Sequence, residues 1–138
     1  MDLKLLQLTR PMASVILKKI CKNFTKMRVL KILVHCFYSP ILKSQMKDFG
    51  GMVSFKLKKN NFGIVKKFLS NLKIFTLAES LGGVESLISH PSSMTHASLS
   101  AELKLKNKIT DSLVRISVGI ENHEDLINDL SKSFNKLK

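Results

Sequence analysis

One arginine stands out among the residues whose type and position could do chemistry. Arg115 lies in the alternating segment 113–117, which is typical of a strand, although 20 of the 23 basic residues are lysine. A charge in the middle of a small sheet is costly unless an anionic group meets it. Because a guanidinium group binds a carboxylate through two parallel hydrogen bonds, Arg115 is a candidate carboxylate ligand. The alternative is an internal salt bridge with Glu121 or Asp111.

The other reactive side chains form no specific pattern. His90 and His96 lie six residues apart across a loop that contains proline, so we expect surface or hydrogen-bonded histidines and no metal site. Cys36 stands in an apolar run, where a cysteine is more often a small buried hydrophobe than a nucleophile. Glu79 and Glu85 could act as paired carboxylates, but two acids in a loop have little specificity. Phosphate-loop, nucleophile-elbow and zinc-protease motifs are absent from the sequence.

The net charge of +13 is concentrated in the first half of the chain. Residues 1–75 contain sixteen basic residues against two acidic ones, and residues 76–138 contain seven against eight. This asymmetry suggests a nucleic-acid or anionic-membrane surface. However, lysine lacks the planar fork of arginine, and the chain has no Trp and one Tyr to stack on bases. The composition therefore favours a solvated surface, and a basic nucleic-acid or membrane-surface binder is kept as an alternative.

Length and composition indicate one globular domain. The 138 residues, 44% of them hydrophobic, are enough for a single core. Two cysteines are too few for a disulfide scaffold. The first 75 residues contain no uncharged run near the ~20 residues of a spanning helix, and the charges near the N-terminus do not fit a secretory signal. We expect a cytoplasmic protein.

Hydrophobic periodicity predicts the elements that position these residues. Helices are expected at 3–26, with a break near Pro11, then after a cap at Asn60 or Asn61, and at 124–137. Strands are expected at 29–38, 52–57, 74–77 and 112–119. Residues 80–100 are expected to form a loop, with a possible short helix at 84–88. The buried apolar face of the second helix is expected to consist of Phe62, Val65, Leu69 and Leu72. The order predicts an α+β domain with a short, mostly antiparallel sheet covered by helices.

Four ordered segments carry a family resemblance. The segments are QMKDFGGMVSF at 45–55, LAESLGGVESLI at 77–88, MTHAS at 94–98 and ITDSLVRISVGIE at 109–121. Together they resemble the Cys/Met-metabolism family of pyridoxal-phosphate (PLP) enzymes, which includes cystathionine γ-synthase and cystathionine γ-lyase. The double glycine at 82–83 is more similar to that branch than to the β-lyases.

The resemblance implies a place within a larger enzyme. It implies that residues 45–138 form the small C-terminal domain of a fold-type-I, aspartate-aminotransferase-like PLP enzyme, and that 1–44 form a divergent connecting helix and strand. By this analogy Arg115 binds the substrate α-carboxylate, Ser80 lies beside the substrate and the cofactor lysine, and Glu79 lies at the substrate entrance. The implied substrates are amino acids such as cystathionine or an activated homoserine.

The departures from the family are equally specific. Nothing in the sequence resembles the motif of the cofactor lysine, the Asp at the pyridine nitrogen or the phosphate-binding Tyr-x-Arg, so no catalytic residue is assigned. We therefore expect this chain alone to be inactive, with PLP held by a large domain or a full-length homologue in a homo-oligomer. The alternative is a non-catalytic truncated remnant or interaction module. Tyr38-Ser39-Pro40 is a possible remnant of a family stretch shortened between residues 32 and 45.

Overall fold

A five-stranded mixed sheet forms the centre of the fold. The computed structural model describes residues 3–24, 30–34, 44–45 and 50–137. Within them the strands are β1 (Leu30–Val34), β2 (Met52–Leu57), β3 (Thr76–Leu77), β4 (Leu87–Ser89) and β5 (Leu113–Ser117). Their order in the sheet is β1-β2-β5-β4-β3. Strands β3 and β4 are parallel and the other neighbours are antiparallel, so the sheet is not purely antiparallel.

Four helices of six residues or more in the described residues complete the domain. They are α1 (Leu3–Phe24), α2 (Phe62–Ser70), α3 (Ala101–Lys106) and α4 (His123–Asn135). The last three each begin with a side-chain cap: Asn61 accepts from the Ile64 N–H, Ser100 from Leu103 and Asn122 from Glu124. Such caps satisfy N–H groups that have no partner within the helix. No described helix is long and apolar enough to span a membrane.

The core lies on one face of the sheet, beneath α1, α2 and α4. Alternation along β2 and β5 turns five side chains toward this face: Val53, Phe55, Leu57, Val114 and Ile116. Phe55 meets the rings of Phe68 on α2 and Phe134 on α4 edge-on, with centroids at 6.0 and 5.9 Å. The rings of Phe68 and Phe134 stack at 4.5 Å. This aromatic cluster packs both helices against β2.

The break predicted near Pro11 is wrong, because α1 continues through that residue. Proline removes one intrahelical hydrogen bond, whereas the turns on either side keep theirs. Beyond Pro11 the side chains of Ala13, Leu17 and Ile20 are buried against the sheet, and this packing stabilises the helix. Strand β1 pairs with β2, so residues from 1–44 share the sheet and core with the rest.

Three further predictions needed correction. Phe62 is 44% exposed and stacks on His90 at 4.9 Å, and Phe68 takes the buried position on α2 instead. The segment proposed as a short helix at 84–88 contributes strand β4, because its main chain pairs with β5. Helix α3 was not predicted. The predicted strand at 29–38 is confirmed over 30–34, and residues 35–40, including Cys36, lie outside the described residues.

Cys21 is a buried, chemically quiet thiol. It is 1% exposed within the core, and burial raises its pKa from 9.0 to about 12. Desolvation disfavours the thiolate, which is the reactive form.

We expect native Cys21 to resist alkylation. In a Cys36→Ser chain at about pH 8, the thiolate fraction of Cys21 should be roughly a thousandfold below that of the unfolded chain. Labelling with iodoacetamide should therefore require unfolding by urea. Equal labelling rates with and without urea would contradict this burial.

Asp129 fastens α4 to the turn that precedes β3. Its carboxylate is 6% exposed and accepts hydrogen bonds from three consecutive main-chain N–H groups, those of Lys73, Ile74 and Phe75, at 2.9–3.4 Å. Hydrogen bonds to a charged acceptor are stronger than those between neutral groups. This contact fixes the chain where it enters β3 and the loop that follows.

Replacing this carboxylate should destabilise the domain. Asp129→Asn turns an amide NH₂ group toward N–H donors, so we expect a loss of about 2–3 kcal/mol in the free energy of unfolding. The matched control is Asp125→Asn, an exposed residue in the first turn of α4, with an expected loss of about 0.5 kcal/mol. Urea unfolding followed by circular dichroism measures both, and equal losses would refute the structural role of Asp129.

Candidate carboxylate-binding site

Arg115 occupies the middle of the central strand. On β5 it pairs with Ser54 of β2 on one side and with Ser89 of β4 on the other. Its strand neighbours Val114 and Ile116 are fully buried in the core, so alternation directs the half-buried Arg115 to the opposite face. The sheet therefore presents one guanidinium group on the face that the core does not use.

The described residues give Arg115 no carboxylate partner. Its Nη2 donates to the main-chain oxygen of Glu79 at 3.3 Å. The Glu121 carboxylate instead accepts from the N–H and the hydroxyl of Ser86 at 2.6 and 2.8 Å. Asp111 accepts from the Ser92 hydroxyl at 3.0 Å. Both salt bridges considered for Arg115 are therefore wrong, and its capacity for a bidentate bond is unused.

A fixed loop lies over this face of the sheet. The Ala78 N–H donates to the Ile88 oxygen at 3.0 Å, which extends β3 toward Glu79. The Gly82 N–H donates to the Ser117 hydroxyl at 2.8 Å. Gly82 has φ +76°, a left-handed conformation that favours glycine. The loop between β3 and β4 is thus tied to β5 two residues beyond Arg115.

The far end of the loop is held by Ser86 and Glu121. Besides donating to Glu121, the Ser86 hydroxyl accepts from the Gly119 N–H at 2.9 Å. The Ile120 N–H donates to the Val84 oxygen at 3.0 Å. A Cβ at Gly119 would collide with the Val84 carbonyl, so this approach requires glycine. The sequence did not predict that these residues hold the loop, although they lie within the family segments at 77–88 and 109–121.

The predicted residues Glu79 and Ser80 lie at the edge of the site. Both are exposed, and neither side chain makes a hydrogen bond to the described residues. The structure brings the Glu79 main chain, not its carboxylate, to Arg115. Ser80 follows directly, where the chain turns toward Gly82.

Both histidines make hydrogen bonds through their ring nitrogens. His90 is buried, with Nδ1 2.7 Å from the Ser93 hydroxyl and Nε2 3.0 Å from the Asp111 main-chain oxygen. His96 Nδ1 lies 2.8 Å from the Thr95 hydroxyl. The prediction of hydrogen-bonded histidines is confirmed. Across the described part of the chain, no three His, Cys, Asp or Glu side chains gather to hold a metal ion.

The geometry agrees with the match to a protein family. The model of the Cys/Met metabolism PLP-dependent enzymes matches residues 17–135. The chain belongs to this family. The match confirms the resemblance seen in the motifs. Enzymes of this family depend on PLP.

Curated relatives are longer than this chain. A cystathionine β-lyase of Lactococcus lactis subsp. cremoris is 55% identical over 96 residues, 70% of this chain and 25% of the relative. A cystathionine γ-lyase of Dictyostelium discoideum is 54% identical over 96 residues, and the γ-synthase of Escherichia coli K12 is 51% identical over 94. The chain spans about a quarter of each. These similar identities do not separate the β-lyases from the γ-branch.

Solved structures share the fold. Cystathionine γ-synthase from Xanthomonas oryzae pv. oryzae, in complex with aminoacrylate and cysteine, superposes with a TM-score of 0.89 at 35% identity. It aligns with 95% of this chain, which matches 35% of that structure. Cystathionine γ-lyase from Lactobacillus plantarum, complexed with L-serine, gives a TM-score of 0.88 at 34% identity. The mixed sheet with its helices is therefore a portion of these enzymes' architecture.

The described residues do not fit the covalent attachment of PLP. A cofactor lysine must lie in an enclosed site, but no lysine whose side chain is described is buried. The buried carboxylate of Asp129 is occupied by main-chain N–H groups and is not available to a pyridine nitrogen. What these residues offer is the Arg115 guanidinium group, which within the described residues makes one hydrogen bond, to the main-chain oxygen of Glu79.

The loop should depend on the close contact at Gly119. Gly119→Ala forces a Cβ into the Val84 carbonyl, so we expect a loss of about 2–3 kcal/mol in unfolding free energy. The matched control is Gly83→Ala in the same loop, where a Cβ would meet atoms of Glu85 no closer than 3.8 Å. Its unfolding free energy should change by less than about 1 kcal/mol. Thermal and urea unfolding measure both variants, and a harmless alanine at 119 would disprove the contact.

Proposed function

We propose that this chain is the C-terminal portion of a PLP-dependent transsulfuration enzyme and contributes the site for the substrate α-carboxylate. The observation that carries the proposal is Arg115, a strand-borne guanidinium on the face away from the core. Within the described residues it contacts a single neutral carbonyl group, that of Glu79. A carboxylate would satisfy its remaining donors far better, because charge-assisted bidentate bonds are stronger.

The roles of the described residues follow from their positions. Arg115 binds and orients the acid end of an amino-acid substrate, such as cystathionine or an activated homoserine. Ser80 and Glu79, exposed on the loop beside Arg115, line the approach to the site. The clamp between Ser86 and Glu121 keeps this loop in register with β5. When bound, PLP supplies the electron sink, and a different polypeptide segment must hold it.

An apolar surface beside the loop supports a large-domain partner. Leu77, Leu81 and Val84 are 54%, 51% and 43% exposed, and Ile120 is 38% exposed. Exposed apolar groups of this kind are typical of surfaces covered in an assembly. The family membership supports a PLP-binding domain as the covering partner. The alternative is a non-catalytic remnant or interaction module, since the described residues do not themselves hold the cofactor.

Reconstitution tests the proposal. The chain is mixed with a large-domain fragment of the Escherichia coli γ-synthase, and PLP absorbance and cystathionine turnover are recorded. We expect both signals only in the mixture, and borohydride reduction should attach no PLP to the chain alone. A mixture without either signal would support the remnant.

The guanidinium fork of Arg115, and not only its charge, should contribute to kcat/KM. In the reconstituted mixture Arg115→Lys keeps the charge but loses the fork, so kcat/KM should fall at least about tenfold. The matched control is Lys56→Gln, which removes a cation on the same face, bonded to the Lys108 carbonyl. Lys56→Gln should leave kcat/KM within about twofold of the wild type, and an equal loss in both variants would indicate a general charge effect.

A further inference from the structure

The side chain of Arg115 crosses a neighbouring strand. Strand β4 lies between β5, which carries Arg115, and β3. Glu79, whose main-chain oxygen accepts from Arg115 Nη2, follows the end of β3 by two residues. To reach it the side chain must pass over β4. The β4 residue directly paired with Arg115 is Ser89, whose small side chain leaves room for this crossing.

Ser89 holds a buried hydroxyl without a partner. It is 2% exposed, and its Oγ makes no hydrogen bond to the described residues. Other buried serines are satisfied: Ser86 bonds to Glu121, Ser92 to Asp111 and Ser133 to the Phe68 carbonyl. An unpaired buried hydroxyl lowers stability, so an alanine at position 89 would make the isolated domain more stable. The hydroxyl therefore points to a partner that arrives from outside.

We propose that Ser89 is a second donor to the carboxylate that Arg115 binds. This inference rests on the function proposed above. In the free chain Arg115, which is paired with Ser89, makes a long bond of 3.3 Å to a neutral carbonyl. A carboxylate draws the guanidinium away from Glu79, because the bond to an ionised acceptor is stronger. That movement uncovers the Ser89 hydroxyl, which then donates to the same carboxylate.

The other neighbour of Arg115 provides a matched control. Ser54 pairs with Arg115 from β2, on the side away from Glu79. Its side chain is partly exposed, so water can satisfy its hydroxyl. Ser54 and Ser89 thus have the same side chain and the same pairing to Arg115, but only Ser89 lies beneath the path of the guanidinium. The proposal assigns ligand contact to Ser89 alone.

The experiment compares ligand affinity with stability in the same variants. The full chain is labelled with ¹⁵N and titrated with L-cystathionine while the Arg115 side-chain Nε resonance is followed, and the Tm is measured without ligand. Ser89→Ala should weaken binding about tenfold and leave the Tm equal to or above that of the wild type. Ser54→Ala should bind as the wild type does.

The outcomes separate this inference from the proposed function. If the wild type binds, Arg115→Lys does not, and Ser89→Ala binds as the wild type, only the role of Ser89 is overturned. If the wild-type resonance does not move, the carboxylate site itself is overturned, and the role of Ser89 with it. A lower Tm with unchanged affinity in Ser89→Ala would assign the hydroxyl to structure. Should alanine fail to fold, Ser89→Cys keeps the volume with a weak donor and should show the same loss of affinity.

Discussion

The alternation of β5 is the constraint on which the rest of the structure depends. This strand pairs on both sides, with β2 and with β4, so its two faces serve two different surroundings. One face places Val114 and Ile116 in the core, and the other places Arg115 on the opposite side of the sheet. A register slip of one residue would bury the guanidinium and expose the core. The position of Arg115 and the stability of the domain therefore have the same physical origin.

Polar side chains hold the segments around this strand in addition to the pairing of its main chain. Asp129 fixes the entry to β3, and the pair of Ser86 and Glu121 fixes the loop that leads to β4. These contacts join segments 35 to 56 residues apart in sequence. Because a carboxylate accepts strong hydrogen bonds, a few such bonds can order the loops beside strands of only two or three residues. The loop beside Arg115 is accordingly held in one conformation by hydrogen bonds to Ser117 and Glu121.

The site combines polar groups that have hydrogen-bond partners with polar groups whose hydrogen-bonding capacity is not used within the described residues. Most buried polar groups near it have partners, whereas the Ser89 hydroxyl has none and Arg115 contacts one neutral carbonyl within the described residues. Natural folds accept such local costs where a ligand or partner completes the arrangement. Family membership, the span of about a quarter of the curated relatives and the exposed apolar loop point the same way. These observations support the proposal that a partner completes the site at Arg115.

The sequence by itself determined the family, the strands β2 and β5, a helix cap at Asn60 or Asn61, and the side of the strand on which Arg115 lies; the structure then assigns that cap to Asn61. These depend on local periodicity, capping and motif residues, all of which are read within a few positions. Only the tertiary structure decided that α1 passes through Pro11, that Phe68 replaces Phe62 in the core, and that residues 87–89 form a strand. It also decided the partners of Arg115, Glu121 and Ser89. Such outcomes depend on contacts between distant segments, whose energies no local pattern contains.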